Sequence, residues 1–316
     1  MTDTQKGVLA LVAACTIWGL SPLFYKVLSS VNPAEILAHR TLWSLVFFAG
    51  VMTLQRRLRD LWHAVSDFSS LKVIIFAALM ISTNWFLFIL SIQIERATEA
   101  SLGYYIFPLV AVLIGRVFFG ERLSHWQWSA VALAGAAVLT MTIGLQIVPW
   151  ISLVLAATFG LYGLAKKRLP LGPVASVTAE VLILSPIAIG WLLMLHTGSG
   201  GVFGDDLSQS LLLMTSGPLT ALPLILFSYG ARRLAMATVG IVQYINPTLQ
   251  FFCAIVIFEE AFGPIHLVAF ALIWTALAIY SGSSYRQDKA RRRATMVSAA
   301  EVVVSTNPSK DASANP

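Results

Sequence analysis

The apolar segment "EILAHRTLWS" contains three ionisable residues, Glu35, His39 and Arg40. Charged side chains are costly inside a bilayer, and those found there commonly mark a ligand, an ion pathway or a proton relay. An arginine would supply a permanent positive charge and several N–H donors to an anionic group. On a helix, Arg40 shares a face with Trp43 and Ser44, which suits a cavity wall. The alternative is an anchor whose long side chain reaches the nearer membrane interface.

Two clusters of polar residues surround prolines inside apolar segments. "YYIFP" places Tyr104 and Tyr105 before Pro108, and "QYINP" ends on Pro247. A proline within a helix removes one backbone hydrogen bond and leaves a carbonyl free for a ligand. The alternative is that the prolines and amides serve helix packing alone. The other polar and aromatic residues that these motifs and a third, "STNW", offer to a ligand are Asn84, Trp85, Gln243, Tyr244, Asn246 and Gln250.

The elements that must position these residues are membrane-spanning helices. The chain has 316 residues, is 57% hydrophobic and 11% charged, and has a mean hydropathy of +0.78, which excludes an ordinary soluble domain. Apolar windows long enough to cross a bilayer recur along it. The sequence predicts an all-α integral membrane protein with ten helices, at 7–28, 34–55, 71–94, 98–119, 125–143, 149–166, 174–195, 210–232, 236–258 and 264–282.

The distribution of basic residues predicts the orientation. Of the 21 lysines and arginines, only Lys26, Arg40 and Arg96 fall on the side opposite to the N-terminus. Because basic residues concentrate on the cytoplasmic side, we expect both termini to be cytoplasmic. The same distribution explains the net charge of +6 without a nucleic-acid partner. The segment after residue 285 is basic and lacks apolar periodicity, so we expect it to be disordered.

Three pairs of segments indicate an internal repeat. "WGLSPLFYK" aligns with "FGLYGLAKK", "NPAEILAHR" with "GPVASVTAE", and "GYYIFPLVAVLIGRVFFGER" with "VQYINPTLQFFCAIVIFEEA". The predicted division is a first repeat at 1–144, a second at 145–285 and a tail at 286–316. Five helices in each half would give the halves opposite membrane orientation, an arrangement typical of transporters that expose one central site alternately to each side.

The repeat makes Glu180 the equivalent of Arg40, since each lies seven residues after the proline that begins its helix. We expect their Cα atoms to differ by roughly 12 Å in depth, too far for a direct salt bridge. The hypothesis is that Arg40 attracts an anionic group near the outer mouth and Glu180 interacts with a cation or proton near the inner one. The alternative for Glu180 is a neutral carboxyl group hydrogen-bonded locally to Ser176 or Thr178.

Five motifs spread over residues 6–282 also carry a family resemblance: "KGVLALVAACTIWGLSPLFYK", "PAEILAHRTLWSL", "STNWFLFI", "SLGYYIFPLVAVLIGRVFFGERL" and "GPLTALPLILFSYGARRL" continuing to "GIVQYINPTLQFF". They resemble the drug/metabolite transporter superfamily, EamA type, in its RarD ("chloramphenicol-sensitive protein") branch. The resemblance implies ten helices and small-molecule transport across the inner membrane, without a defined substrate. The chain has Phe107 and Ala111 where the family pattern leads us to expect asparagines.

The sequence lacks the motifs of several other classes. It contains no Walker A loop, no H-E-x-x-H and no paired Cys/His spacing, so we expect no ATP-driven pumping, no metal, no cofactor and no enzymatic activity. The prediction is a secondary transporter that exports a small amphipathic metabolite or drug, driven by a proton or substrate gradient. The competing interpretations are a membrane sensor or assembly protein and a facilitative channel. The predicted substrate-binding residues are His39, Arg40, Trp43, Asn84, Trp85, Tyr104, Tyr105, Glu180, Gln243, Tyr244, Asn246 and Gln250.

Overall fold

The computed structural model describes residues 1–120, 123–198, 200–234 and 236–305, and over these residues the chain is all-helical, as predicted. The helices are α1 Asp3–Val27, α2 Pro33–Leu54, α3 Leu58–Ser66, α4 Phe68–Gln93, α5 Ala97–Phe119, α6 His125–Leu145, α7 Trp150–Lys167, α8 Pro173–Thr197, α9 Leu207–Ala231, α10 Met236–Gln243, α11 Ile245–Phe252 and α12 Pro264–Ser305. A π-helical turn, Cys253–Ile257, follows α11.

Nine segments of the described chain are long and apolar enough to cross a bilayer. They correspond to nine of the ten predicted spans. The remaining span corresponds to α7, which has 18 residues and ends on Lys166 and Lys167. Lys167 is exposed at the helix end, where a lysine can extend its ammonium group toward water, so α7 fits a tenth crossing.

The segment at 56–70, which the predicted spans leave as a connection, contains a helix, α3, that was not predicted. Leu61 and Val65 are four residues apart and pack against a buried cluster between α4 and α8. Trp62, on another face, is 70% exposed. Short amphipathic helices of this kind are typical of the membrane interface, and their length is below that of a spanning window.

The ninth predicted span, 236–258, is not one continuous helix. It is divided into α10, α11 and the π-helical turn, with the break at Tyr244. Pro247 has no N–H to donate to the carbonyl of Gln243, which removes one helical hydrogen bond at this point. The break turns a continuous apolar helix into two short pieces, which is typical of transporter binding sites.

The final helix is longer than predicted. We expected the last span to end at residue 282 and the chain to be disordered from 286, but α12 continues to Ser305. The sequence after Arg286 is rich in alanine and arginine, which favour helix even without apolar periodicity. Residues 306–316 of the predicted disordered tail lie outside the described residues.

The helices that carry Arg40 and Glu180 begin in the same way. Pro33 starts α2 and Pro173 starts α8, positions where a missing N–H costs nothing. In α2 the side chain of Asn32 also accepts a hydrogen bond of 2.8 Å from the N–H of Ala34. The two helices pack against each other.

The main helix pairings occur in matching sets. Contacts of α5 with α7 correspond to contacts of α1 with α10 and α11, and contacts of α1 with α9 correspond to those of α4 with α7. Two further contacts, α2 with α8 and α6 with α12, each join a helix to its own equivalent in the other half. An inverted repeat predicts this pattern. The repeat boundaries and the orientation of the termini stay predictions.

Candidate functional site

A cavity of about 1020 Å³ lies between the helices of the two predicted halves. Residues at one end, among them Arg57, Arg232 and Tyr285, are exposed, so the cavity opens on the face that the charge distribution predicts to be cytoplasmic. The other end reaches Tyr25 and Arg40, which are buried. The cavity therefore enters from one face and ends inside the protein.

Glu260 connects two elements beyond the closed end of the cavity. Its carboxylate accepts hydrogen bonds from the backbone N–H of Ala97, at 2.6 Å, and from the N–H and hydroxyl of Thr98, at 2.8 and 2.7 Å. These residues form the first turn of α5, where free N–H groups and the helix dipole favour a negative charge. Glu260 thus ties the segment after the π-helical turn to the start of α5.

Glu35 makes a similar connection on the same side. Its buried carboxylate accepts hydrogen bonds from the N–H groups of Val202, at 2.9 Å, and Phe203, at 3.3 Å. The Phe203 ring stacks on His39 with centroids 4.5 Å apart. Together these contacts hold the segment between α8 and α9 over the N-terminal end of α2. They close this side of the protein.

The Glu260 contacts predict the effect of Glu260→Gln. The amide is uncharged and has a single acceptor oxygen, so we expect the closed side to lose about 1.5 kcal/mol of stabilisation. Opening would then become roughly ten-fold more frequent. The measurement is the rate at which a thiol reagent labels a cysteine introduced at buried Ile36, in the cluster behind the closed end. Exposed Glu259→Gln is the control, and equal rates in both variants would contradict the prediction.

Arg40 lies at the closed end with its guanidinium among aromatic rings. The side chain is buried, Nε donates a hydrogen bond of 2.8 Å to Thr220 Oγ1, and Cζ lies 4.2 Å from the centre of the Trp85 ring. The Tyr25 ring is 5.8 Å from Cζ. These contacts place the guanidinium in the cavity wall, so the interface-anchor alternative is wrong.

Asn84 and Tyr104 form one hydrogen-bonded unit across three helices. The Asn84 amide donates to the carbonyl of Leu155, at 2.9 Å, and to Thr158 Oγ1, at 3.1 Å, and its oxygen accepts from the Tyr104 hydroxyl at 2.8 Å. The buried amide is therefore satisfied by α5 and α7 and holds the Tyr104 ring in the cavity wall.

The broken helix contributes a further group of polar side chains. Gln250 Nε2 donates a hydrogen bond of 2.9 Å to Asn246 Oδ1, and both residues line the cavity with Gln243 and Tyr244. Gln250 Oε1 is buried and has no hydrogen-bond partner among the described residues. A buried acceptor that lacks a partner is costly, and a donor on a bound molecule would satisfy it.

Glu180 makes an ion pair with Lys166. Its fully buried carboxylate also accepts hydrogen bonds from the Tyr162 hydroxyl, at 3.1 Å, and from Ser176 Oγ, at 3.0 Å. The Lys166 ammonium donates a second hydrogen bond to Ser176 Oγ at 2.5 Å. Lys166 and Tyr162 line the cavity, whereas Glu180 lies directly behind them. The local contact with Ser176 was anticipated, but the ion pair was not.

Comparison with known proteins identifies the family. Residues 5–143 match the EamA-like transporter family. A relative from Streptomyces exfoliatus, described as "Protein RarD", is 39% identical over 305 residues, which are 96% of each chain. A relative from Vibrio cholerae, described as an "Uncharacterized transporter", is 38% identical over 92% of this chain and 97% of the relative. The chain belongs to the EamA-like transporter family.

The family assignment agrees with the fold of the chain. A solved structure titled "Crystal structure of protein" superposes with a TM-score of 0.54 at 18% identity, over 87% of this chain and 96% of its own, and shares the fold. This EamA-like transporter is a multi-pass membrane protein, and its bacterial relatives are consistent with the inner membrane, as predicted. The predicted resemblance to the EamA type and its RarD branch is confirmed.

Four residues predicted to bind substrate do not line the cavity of this EamA-like transporter: His39, Trp43, Tyr105 and Glu180. His39 is covered by Phe203, and Glu180 lies behind its ion-pair partner. The other predicted site residues line the cavity, as their positions in the sequence suggested: Arg40, Asn84, Trp85, Tyr104, Gln243, Tyr244, Asn246 and Gln250. Their roles in binding stay predictions.

Helix geometry explains the other two exceptions. Successive residues on a helix are rotated by about 100°, and in α5 this rotation turns Tyr105 away from the cavity that Tyr104 lines. The Tyr105 hydroxyl instead lies 2.8 Å from Thr248 Oγ1, and its ring packs against Phe270. Trp43 lies where α9 packs directly against the backbone of α2, at Gly217.

Two aromatic residues and a lysine that contact the charged positions were not predicted from the sequence. Tyr25 stacks against Arg40, and Lys166 pairs with Glu180. Tyr25 and Lys166 align with each other in the predicted repeat, as do Arg40 and Glu180. Tyr162 lies one helical turn before Lys166 and shares its face. Comparing aligned positions would have indicated Tyr25 and Lys166, and the spacing of Tyr162 from Lys166 would have indicated the third.

Proposed function

We propose that this EamA-like transporter is a secondary transporter that exports a small amphipathic molecule by alternating access. The observation that carries the proposal is a cavity that opens on one face and ends at buried Arg40. Its volume, about 1020 Å³, is at the upper end of the range typical of small-molecule sites. A cavity of this shape corresponds to one of the two states of a carrier.

The contacts on the closed side are consistent with a second state of the carrier, in which the cavity opens to the opposite face. The hydrogen bonds of Glu260 and Glu35 join separate elements on that side, and each ends on backbone N–H groups near a helix end or in a connecting segment. Such contacts can be released as units while the helices stay intact. Their release, together with closure around Arg57 and Arg232, would open the cavity to the other face.

A facilitative channel is the competing function. A channel requires a continuous pathway, whereas this cavity is closed beyond Arg40 by a buried apolar cluster that includes Leu28, Val31 and Ile36. A sensor or assembly protein would require an output surface, and the short connections between the described helices do not supply a separate domain. The carrier therefore accounts for the cavity best.

We further propose that proton coupling involves Glu180. The carboxylate lies behind Lys166 and Tyr162, so a proton arriving from the cavity would reach it through these two side chains. Protonation would weaken the ion pair with Lys166 and free its ammonium for the cavity. A substrate gradient remains the competing energy source.

The test is flux through purified protein in proteoliposomes loaded with a metabolite pool, with and without a pH gradient. We expect saturable flux and counterflow, which a carrier shows and a channel does not. Glu180→Gln is expected to retain counterflow and to lose any acceleration by the pH gradient. Glu95→Gln, which removes an exposed carboxylate on the opposite face, is the control.

The outcomes separate the proposals. Absence of saturable flux for every compound in the pool would overturn the carrier. Counterflow with undiminished acceleration by a pH gradient in Glu180→Gln would overturn the role of Glu180 alone.

A further inference from the structure

The charged side chains that line the cavity are all cationic in the described part of the chain. They are Arg40, Arg57, Arg232 and Lys166, whose charge is balanced by Glu180 behind the wall, and no aspartate or glutamate lines the cavity with them. A concave site lined by one sign of charge concentrates ligands of the opposite sign. The composition of the wall therefore disfavours an organic cation.

Arg40 has the strongest requirement for an anion. None of the ion pairs among the described residues includes it, and its one hydrogen bond to a neighbouring side chain uses Nε, with the neutral Thr220. A guanidinium has four further N–H donors on its two terminal nitrogens. Stacking on Trp85 stabilises the charge, but no described residue accepts a hydrogen bond from these donors. A carboxylate can accept two of them in parallel.

Aromatic rings connect Arg40 with Lys166 along the cavity. The Arg40 guanidinium lies 5.8 Å from the first ring, and the Lys166 ammonium lies 4.9 Å from the last. Successive ring centroids are 5.8 to 6.1 Å apart. This aromatic ladder consists of Tyr25, Phe88, Tyr104, Phe159 and Tyr162. It offers an aromatic or apolar body the same kind of surface over its whole length.

We propose that the substrate is a small organic anion, a carboxylate attached to an aromatic or apolar body, whose carboxylate pairs with Arg40 while its body contacts the aromatic ladder. The proposal rests on the transport function proposed above. It defines the substrate class of that site. The anion first meets Lys166 and the mouth arginines and then moves along the ladder to Arg40 at the closed end.

The test is calorimetric binding to the full-length protein in detergent with four probes. They are 2-naphthoate, the neutral 2-naphthamide, the cationic 2-naphthylmethylamine, and acetate, which has the charge without the body. We expect the naphthoate to bind at least ten-fold more tightly than the amide, because a charged partner strengthens the hydrogen bonds of Arg40. The amine and acetate are expected to bind more weakly still.

Variants assign the effect to Arg40. Arg40→Gln is expected to weaken naphthoate binding at least ten-fold and naphthamide binding far less. Arg40→Lys keeps the charge but loses the paired donors. Its affinity for naphthoate is expected to lie between that of the unsubstituted protein and that of Arg40→Gln. The matched control is Arg59→Gln, which removes one exposed positive charge outside the cavity. If Arg40→Gln does not fold, the test becomes the affinity for naphthoate in Arg40→Lys compared with that in Arg59→Gln.

Several results would overturn the proposal. They are equal binding of naphthoate and naphthamide, no naphthoate binding at millimolar concentration, or unchanged naphthoate binding in the Arg40 variants. If proteoliposomes then show saturable flux of neutral or cationic compounds, the transport function stands and the substrate class is wrong. If no compound shows saturable flux, the transport function itself is wrong.

Discussion

Gly217→Ala is expected to destabilise the folded protein by about 3 kcal/mol, because helix α9 crosses the backbone of α2 at this glycine. A Cβ atom at Gly217 would lie 2.6 Å from Trp43 Cβ and 2.7 Å from the Trp43 carbonyl oxygen. Main-chain atoms cannot rotate away as a flexible side chain can. The two helices would have to separate, and Arg40, one turn before Trp43, would lose its hydrogen bond with Thr220 on α9.

The measurement is a denaturant titration of the purified protein in detergent micelles. Gly190→Ala, in the interior of α8, is the matched control, since no described atom beyond the adjacent residues and the backbone of α8 lies within 4 Å of the added Cβ atom. We expect this control to leave the free energy of unfolding unchanged or to raise it by up to about 1 kcal/mol, as alanine favours helix over glycine. Equal stability of the two variants would mean that the α2–α9 contact adapts to the extra methyl group.

Lys166→Met is expected to lower the free energy of unfolding by about 3 kcal/mol. The side chain of Glu180 has no exposed surface and that of Lys166 is 24% exposed, so the substitution leaves a buried carboxylate without its positive partner. The Tyr162 hydroxyl and Ser176 would still donate to the carboxylate, but neither balances its charge. Removal of one member of a buried pair is costly for this reason.

The double variant Lys166→Met/Glu180→Gln separates charge from packing. Without the carboxylate there is no buried charge to compensate, so we expect it to recover most of the stability lost in Lys166→Met. Lys26→Met is the matched control, because it breaks a pair with Glu95, which is 75% exposed, and should cost less than about 1 kcal/mol. Additive effects of the two substitutions would argue against a coupled pair.

The helices were predictable because the bilayer imposes their length and composition. A helix needs about 20 apolar residues to cross the hydrocarbon, and every backbone group must be bonded within it, so apolar windows alone locate the spans. The window at 236–258 was located but not its division at Tyr244, since hydropathy does not record a lost hydrogen bond. The amphipathic α3 and the extension of α12 were missed because neither is an apolar window.

The charges at Arg40 and Glu180 stood out in the sequence because hydrocarbon makes an ionised side chain unusual. The prolines Pro108 and Pro247 pointed to the polar residues beside them in α5 and α11 as candidates for the same site. Most of these residues line the cavity. Their spacing along the chain did not determine which of two adjacent residues would face it. Tyr104 does and Tyr105 does not, and only the rotation of α5 against α11 and α12 decides between them.

The sequence by itself determined the membrane class, the spans, the family and the positions of the two buried charges. Only the tertiary structure decided what each charge contacts. Arg40 meets Trp85 from α4 and Thr220 from α9, and Glu180 meets Lys166 from α7. Hydropathy acts on each helix separately, whereas a buried charge is stabilised by whichever side chains neighbouring helices bring to it, and that depends on packing between distant segments.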